Sequence, residues 1–91
     1  MEEMEKKSMY LHIGNNKNVR IQEIIGIFDL DSASIGTQTK QFLRKKEKDG
    51  MVSYATEDLP KSFLLMQDGR IHFSQISTGA LAGRMNQNDG I

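Results

Sequence analysis

The longest apolar segment of the chain runs from Ile24 to Leu30. An apolar run of this length is typical of a strand, and a strand that is apolar on both faces must be covered on both. In simple alternation its residues divide into two faces, with Ile24, Gly26, Phe28 and Leu30 on one and Ile25, Ile27 and Asp29 on the other. We therefore predict a buried strand here.

Two further apolar runs, Ser62 to Gln67 and Arg70 to Gln75, flank the dipeptide Asp68-Gly69. Asp-Gly between such runs favours a two-residue hairpin turn, in which both central residues take positive φ. The predicted register pairs Met66 with Ile71 and Leu64 with Phe73 on one face, and Leu65 with His72 and Phe63 with Ser74 on the other.

A helix is predicted after the loop Asp31–Ser34, which offers several N-cap residues, and it ends near Lys48 at Asp49-Gly50. At about 100° per residue the helix has an apolar arc and an opposite cationic one. The apolar arc holds Ile35, Thr39, Phe42 and Leu43, and the cationic arc holds Lys40, Arg44 and Lys48.

The remaining segments predict short elements: strands at Tyr10–Ile13, around Val19 and Ile21, and at Met51–Tyr54, and a short helix capped by Ser77-Thr78 that holds Leu81 and Met85. The fold class is α+β, a small, mostly antiparallel sheet of four or five strands with one main helix and a short C-terminal helix. We expect residues 1–8 to be a disordered tail or a mis-assigned start before Met9, residues 9–84 to fold, and residues 85–91 to fray.

So few elements cannot cover both faces of two apolar strands, because a domain of this size is near the lower limit for a single core. We therefore expect other copies of the chain to supply the cover, in a ring-like homo-oligomer. The candidate interface residues are Ile25, Ile27, Phe63 and Leu65.

Composition narrows the function classes. The 91 residues contain no cysteine and two histidines, which excludes disulfide frameworks and the common zinc and iron–sulfur patterns. No nucleophile, base and acid share a suggestive spacing, and Asp29 with Asp31 makes a poor cation cage, so we expect no catalytic site, metal or cofactor. No apolar stretch approaches a membrane span, so we predict a cytoplasmic protein without a membrane partner.

Charge is balanced overall but not locally. Twelve Lys and Arg offset twelve Asp and Glu, although cations concentrate between Thr37 and Asp49. Clustered cations neutralise phosphates and release counterions, so this helix face is the best candidate for double-stranded DNA. In a monomer, the alternative is that these cations only form a solvent-exposed helix face. In an oligomer, the cationic cluster would be repeated around a ring. The candidate residues are Lys40, Arg44, Lys45 and Lys48, with Lys17, Arg20 and Lys61 in support.

Three runs carry a family resemblance: Met9-Tyr-Leu-His-Ile-Gly-Asn, Ile24-Ile-Gly-Ile-Phe-Asp-Leu-Asp, and Pro60-Lys-Ser before the hairpin. They resemble the RemA/RemB-like family of bacterial extracellular matrix regulatory proteins, over about Met9 to Arg84. The resemblance implies a regulator of biofilm-matrix genes. It also implies a ring, which in the RemA branch binds DNA around its outside through arginines near the second strand and in the loop before the hairpin.

At those arginine positions the chain departs from the family pattern. The position near the second strand falls at about Glu23, and the loop reads Glu57-Asp58-Leu59-Pro60-Lys61, with Lys61 as its single cation. The ring is therefore expected to carry over, whereas the loop contacts to DNA are not. The leading hypothesis is a non-enzymatic oligomeric regulator. The rival is a ring-forming protein–protein module that binds a protein such as a RemA-like partner and no DNA; a small hydrolase or metal protein is the third, weakest hypothesis.

Overall fold

The computed structural model describes residues 10–30 and 36–89, with side chains as far as residue 85. The predicted tail at Met1–Ser8, the loop Asp31–Ser34 and Ile35 lie outside the described residues. The elements in chain order are β1 (Tyr10–Gly14), β2 (Lys17–Arg20), a 3-10 turn (Ile21–Glu23), β3 (Ile24–Asp29), α1 (Thr37–Lys48), β4 (Val52–Tyr54), β5 (Ser62–Met66), β6 (Ile71–Ser74) and α2 (Thr78–Asp89).

The described strands form a four-stranded sheet in the order β3-β5-β6-β4 and a separate two-stranded hairpin of β1 and β2. The α+β class is therefore confirmed. The four-stranded sheet is mixed, because β4 runs parallel to β6 while the other neighbours are antiparallel. Backbone bonds from Ala55 to Phe73 (2.8 Å) and from Ile71 to Met51 (2.9 Å) extend this parallel pairing at both ends.

The chain covers the two faces of this sheet with different elements. On the first face the β1–β2 hairpin and α2 enclose one core, which contains Leu11, Ile13, Val19, Ala55, Leu64, Met66 and Leu81. On the second face, which α1 covers, a smaller core contains Phe63, Ile71 and Phe73, with Leu30, Leu43, Val52 and Leu65 packed around it. Strand β5 is thus covered on both sides within one chain.

Two buried serines join the sheet to its cover on the first face. Ser74 donates to the carbonyl of Ile13 in β1 at 2.8 Å, and Ser62 donates to the carbonyl of Ile76 before α2 at 2.7 Å. Both side chains are fully enclosed, and a buried hydroxyl without a partner would be costly. These bonds explain why polar residues occur at core positions of β5 and β6.

The predicted register of the β5–β6 hairpin is wrong by one residue. Phe63 pairs with Phe73 and Leu64 with His72, so the turn has three residues, Gln67 to Gly69. Gly69 takes a φ of 91°, whereas Asp68 is not among the positive-φ residues and instead accepts a 2.9 Å bond from the Arg70 amide. This geometry is a type I turn followed by a left-handed glycine. It places Phe63 and Phe73 together in the second core.

The simple alternation predicted for β3 is also wrong, because the strand contains a β-bulge. Ile24 pairs with Met66 and Gly26 with Leu65, which leaves Ile25 as the extra residue. A bulge resets the alternation of side chains. Ile24 therefore packs on the first core together with Ile27, while Phe28 stacks on Phe63 on the second face, with ring centroids 5.0 Å apart.

The predicted end of the main helix is confirmed. α1 ends at Lys48, and Gly50 follows with a φ of 74°. The Gly50 amide bonds the Glu47 carbonyl (3.1 Å) and the Met51 amide bonds the Lys46 carbonyl (2.9 Å), which is the Schellman pattern. At the other end Gly36 is the N-cap and makes no side-chain cap bond.

The C-terminal helix begins as the sequence indicates. The Ser77 hydroxyl accepts a 3.2 Å bond from the Ala80 amide, as an N-cap does. Leu81 is fully buried, and Met85 packs on the edge of the first core. The helix continues past Met85 to Asp89.

Candidate functional site

A cationic surface lies on the outer side of α1, opposite the residues that pack on the sheet. Thr39 and Leu43 are half-buried, and four cations on the rest of the helix circumference are exposed. We call this set the α1 basic surface; it consists of Lys40, Arg44, Lys45 and Lys48. Two of its members lie in the last turn, where the negative end of the helix dipole favours cations.

The remaining cation of α1 points elsewhere. Lys46 is half-buried, and its Nζ lies 5.7 Å from the ring centroid of Phe42, within the range of a cation–π contact. The same Nζ would lie 3.2 Å from a Cβ atom placed on Gly69. Lys46 therefore packs toward the β5–β6 turn and does not extend the α1 basic surface.

Two acidic residues lie beside this surface, and one of them pairs with a cation that belongs to it. Tyr54 in β4 donates its hydroxyl to a Glu47 carboxylate oxygen at 2.7 Å, and this hydrogen bond, with partial burial and the negative charge of Glu47, raises the pKa of Tyr54. Asp49 accepts from Lys45 at 3.5 Å. Because the Glu47 carboxylate is held toward β4, it offsets the outward-facing cations less than an unconstrained side chain would.

The supporting cations predicted from the sequence do not join the α1 basic surface. Lys17 and Arg20 belong to β2 on the first face of the sheet, whereas α1 covers the second. Lys61 is exposed just before β5, where its amide bonds Ser74 and its carbonyl bonds Leu30. The candidates thus divide into one cluster on α1 and separate positions away from it.

A cavity of about 250 Å³ opens beside Lys17 on the first face. The Lys17 ammonium donates a 2.6 Å bond to the Ser53 hydroxyl in β4, and Ser53 pairs with His72 of the neighbouring strand β6. The walls come from β1, β2, the 3-10 turn, β5, the β5–β6 turn and β6. The lining residues are Tyr10, Lys17, Asn18, Val19, Arg20, Glu23, Met66, Asp68 and His72.

His72 is the unusual group in this wall. Its Nδ1 is the one buried side-chain nitrogen or oxygen in the described part of the chain that has no hydrogen-bond partner. Burial lowers the pKa of His72 below its ordinary value of 6.5, and the charges of Lys17 and Arg70 lower it further, while Asp68 opposes them. The ring is therefore held in a setting that disfavours its protonated form.

Strand β3 lies at an edge of the described sheet and exposes apolar side chains. Ile25 at the bulge is 59% exposed and Phe28 is 44% exposed. Of the other predicted interface residues, Ile27 and Leu65 are half-buried, and Phe63 is 4% exposed because its ring packs between Phe28 and Phe73. The exposed apolar surface is thus centred on Ile25 and Phe28, and Phe28 was not among the predicted residues.

The histidine and carboxylate positions form no cluster in the described residues. No group of three His, Cys, Asp or Glu side chains within that part of the chain is placed to hold a metal ion. His12 is exposed, and its carbonyl accepts a 2.9 Å bond from Arg84 of α2. His12 thereby takes part in docking α2 onto β1.

The comparison with protein families matches residues 10–85 to the RemA-like model, described as extracellular matrix regulatory protein A-like. The chain belongs to the RemA-like family. The match covers every described strand and all of α1, and it reaches Met85 in α2. None of the curated proteins compared with the chain matches it.

The RemA-like family is one of regulatory proteins. In the loop before β5, where the resemblance leads one to expect arginines, this RemA-like chain exposes Glu57, Asp58 and Leu59, and Leu59 is 86% exposed. Neither helix, over its described residues, has the length and apolar content needed to cross a membrane.

Sequence reasoning missed the cavity and the exposure of Leu59. The exposure of Leu59 could have been predicted, because an apolar residue inside a predicted loop is a recognisable signal. The cavity has no such signal in the sequence, because Lys17 and His72 are far apart in the chain.

Proposed function

We propose that this RemA-like chain is a non-enzymatic regulator of extracellular-matrix genes that assembles into a ring-like homo-oligomer and contacts the backbone of double-stranded DNA through the α1 basic surface. The observation that carries the proposal is the exposure of four cations on one side of a single helix. Glu47, the acidic residue within this helix, is bonded to Tyr54. Contacts of this kind position a protein on DNA and carry little sequence information.

DNA binding through the α1 basic surface depends on assembly. A single copy has no net charge, so attraction to a polyanion depends on how its cations are arranged. A symmetric ring repeats the α1 basic surface once per subunit and produces a continuous track. With about three phosphate contacts per subunit, log K should fall with log salt at a slope of about −2.7 per bound subunit.

The test is a gel shift with duplex DNA at low salt. Replacing Lys40, Arg44 and Lys48 with glutamine should abolish the shift. A charge-matched control replaces Arg20, Lys61 and Arg70, which lie outside α1, and should retain most of the binding. An equal loss in both triple variants would mean that net charge alone governs binding, and the α1 basic surface would lose its role.

The assembly itself is tested at the edge strand. Edge strands with exposed apolar side chains are the usual templates for pairing with another chain. Ile25→Lys should shift the protein to monomer in sedimentation velocity, because the charge lies at the most exposed apolar position of β3. The control is Leu59→Lys, an exposed leucine outside the sheet, which should leave the oligomer intact; a wild-type chain that sediments as a monomer at all concentrations contradicts the proposal.

One observation favours the rival function, a ring-forming module that binds a protein and no DNA. Leu59 is almost fully exposed between acidic neighbours and Pro60, an arrangement suited to a partner with an apolar pocket and a basic rim. Salt separates the two functions, because DNA binding weakens steeply with salt whereas an apolar contact does not. Leu59→Ser should abolish capture of a RemA-like partner under the rival function and leave the DNA gel shift unchanged under the first.

A further inference from the structure

The cavity on the first face of the sheet is small, opens to the surface and is bordered by several elements. At about 250 Å³ it is several times larger than the space of one water molecule, about 30 Å³, and just below the range of about 300–1,000 Å³ typical of drug-sized ligands. Its size therefore suits a compact ligand of a few heavy atoms.

Among the charged side chains of the wall, Lys17 is the one without an ion-pair partner in the described residues. Glu23 lies 3.8 Å from the Arg20 guanidinium, and Asp68 lies 3.8 Å from that of Arg70, so each wall carboxylate has its own cation. The contact that Lys17 makes among the described residues is the neutral Ser53 hydroxyl. A half-buried ammonium without a carboxylate partner favours an anion beside it.

The adjacent imidazole points to the same ligand class. Buried polar atoms in native proteins usually have a partner, and an unpaired one calls for an explanation such as a bound water, a bound ion or a functional role. The buried Nδ1 of His72 has no such partner in the described residues, and His72 lines the cavity together with Lys17 and Asp68. An anion in the cavity would offset the Lys17 charge that acts on this ring.

We propose that this cavity binds a small oxyanion of the phosphate class, with Lys17 as the main cationic contact, Arg20 as a second, and His72 as a group that gains a proton when the anion is bound. The site is separate from the α1 basic surface, which lies on the other face of the sheet. It does not depend on DNA binding. It would give the protein a means of responding to a small metabolite or to inorganic phosphate.

Binding is measured by following amide and imidazole signals of the full chain by NMR during titration with inorganic phosphate, against sodium chloride at equal ionic strength. Phosphate should produce saturable shifts confined to residues around Lys17 and His72. Lys17→Gln should weaken binding by about tenfold or more, equivalent to about 1.4 kcal/mol. The control Lys61→Gln removes an exposed lysine that lies outside both the cavity and α1, and it should bind as the wild type does. Shifts that do not saturate, or an equal loss in both variants, would overturn the proposal.

A second measurement keeps the test valid if Lys17→Gln unfolds. Saturating phosphate should raise the pKa of the His72 imidazole, because the bound anion favours the protonated ring. A pKa of His72 that phosphate leaves unchanged would refute the assignment.

Parallel titrations distinguish the sources of the anion. Tighter binding of inorganic phosphate identifies the free ion, and tighter binding of glycerol phosphate identifies a phosphate monoester; either result supports the site. Shifts in these residues with duplex DNA and with neither small anion would overturn the proposal, since the cavity would then be part of a DNA-binding surface.

Discussion

Gly14 shows how one residue fixes the position of the β1–β2 hairpin over the sheet. Its φ is 124°, and a Cβ atom at this position would lie 2.6 Å from the Ala55 carbonyl oxygen. The backbone at the end of β1 therefore approaches the loop after β4 as closely as atoms allow. Gly14 also closes the Tyr-Leu-His-Ile-Gly run that resembles the family, so this part of the resemblance has a steric cause.

Gly14→Ala should lower the free energy of unfolding by roughly 1–3 kcal/mol, because it combines an unfavourable φ with a clash against a backbone atom. Urea denaturation measures this loss. Gly83→Ala is the matched control: nothing lies within 4 Å of its Cβ position in α2, so the substitution should be neutral or stabilising. Equal effects at both glycines would show that the contact with Ala55 does not matter.

His72 gives the stability of the fold a pH dependence. Burial, Lys17 and Arg70 lower the pKa of His72 in the folded chain below 6.5. Around and below that pH the unfolded chain therefore binds more protons than the folded chain does. Stability should therefore be complete above pH 6.5 and decrease as the pH falls below it. The measurement is the urea midpoint between about pH 5 and 8. His72→Gln should flatten this part of the curve.

At the scale of elements, the existence and type of most strands and helices follow from the sequence, but their registers do not. Period-two alternation predicts β3 correctly as a strand and cannot reveal the bulge at Ile25, because the pairing with β5 determines it. Asp68-Gly69 predicts a hairpin, yet the same dipeptide fits a two-residue and a three-residue turn. The parallel pairing of β4 with β6 depends on tertiary contacts rather than on local pattern.

The end of α1 is the element boundary that the sequence predicts best, and it can be tested at Gly50. A β-branched residue there must adopt a φ of 74°, so Gly50→Val should cost about 1–2 kcal/mol in urea denaturation. Asparagine tolerates the left-handed region better, so Gly50→Asn should cost clearly less. If the two variants lose equal stability, the Schellman geometry is not what ends the helix.

For the whole molecule, the prediction that other copies must cover both faces of the apolar strands holds for less of the sheet than the sequence suggested. The hairpin, α2 and α1 cover β5 on both faces, so other copies are not needed there. Within the described sheet, the edge strand β3 still exposes Ile25 and Phe28. The candidate sites differ in how far the sequence predicts them. Helical spacing alone predicts the α1 basic surface, whereas the cavity forms only when β2 packs over β6.

This division between core and edge predicts two kinds of mutant. If copies associate through β3, the apparent stability of the wild type should rise with protein concentration, because association favours the folded state. Ile25→Ser should abolish this concentration dependence and change the stability of the dilute protein little, since the side chain is mostly exposed.

Leu81→Ala, in the first core, should lower stability by about 2–5 kcal/mol at every concentration and leave the concentration dependence in place. Urea midpoints at two widely separated concentrations measure both effects. If the wild-type midpoint does not change with concentration, the exposed surface of β3 takes no part in self-association. We would then assign that surface to a different partner.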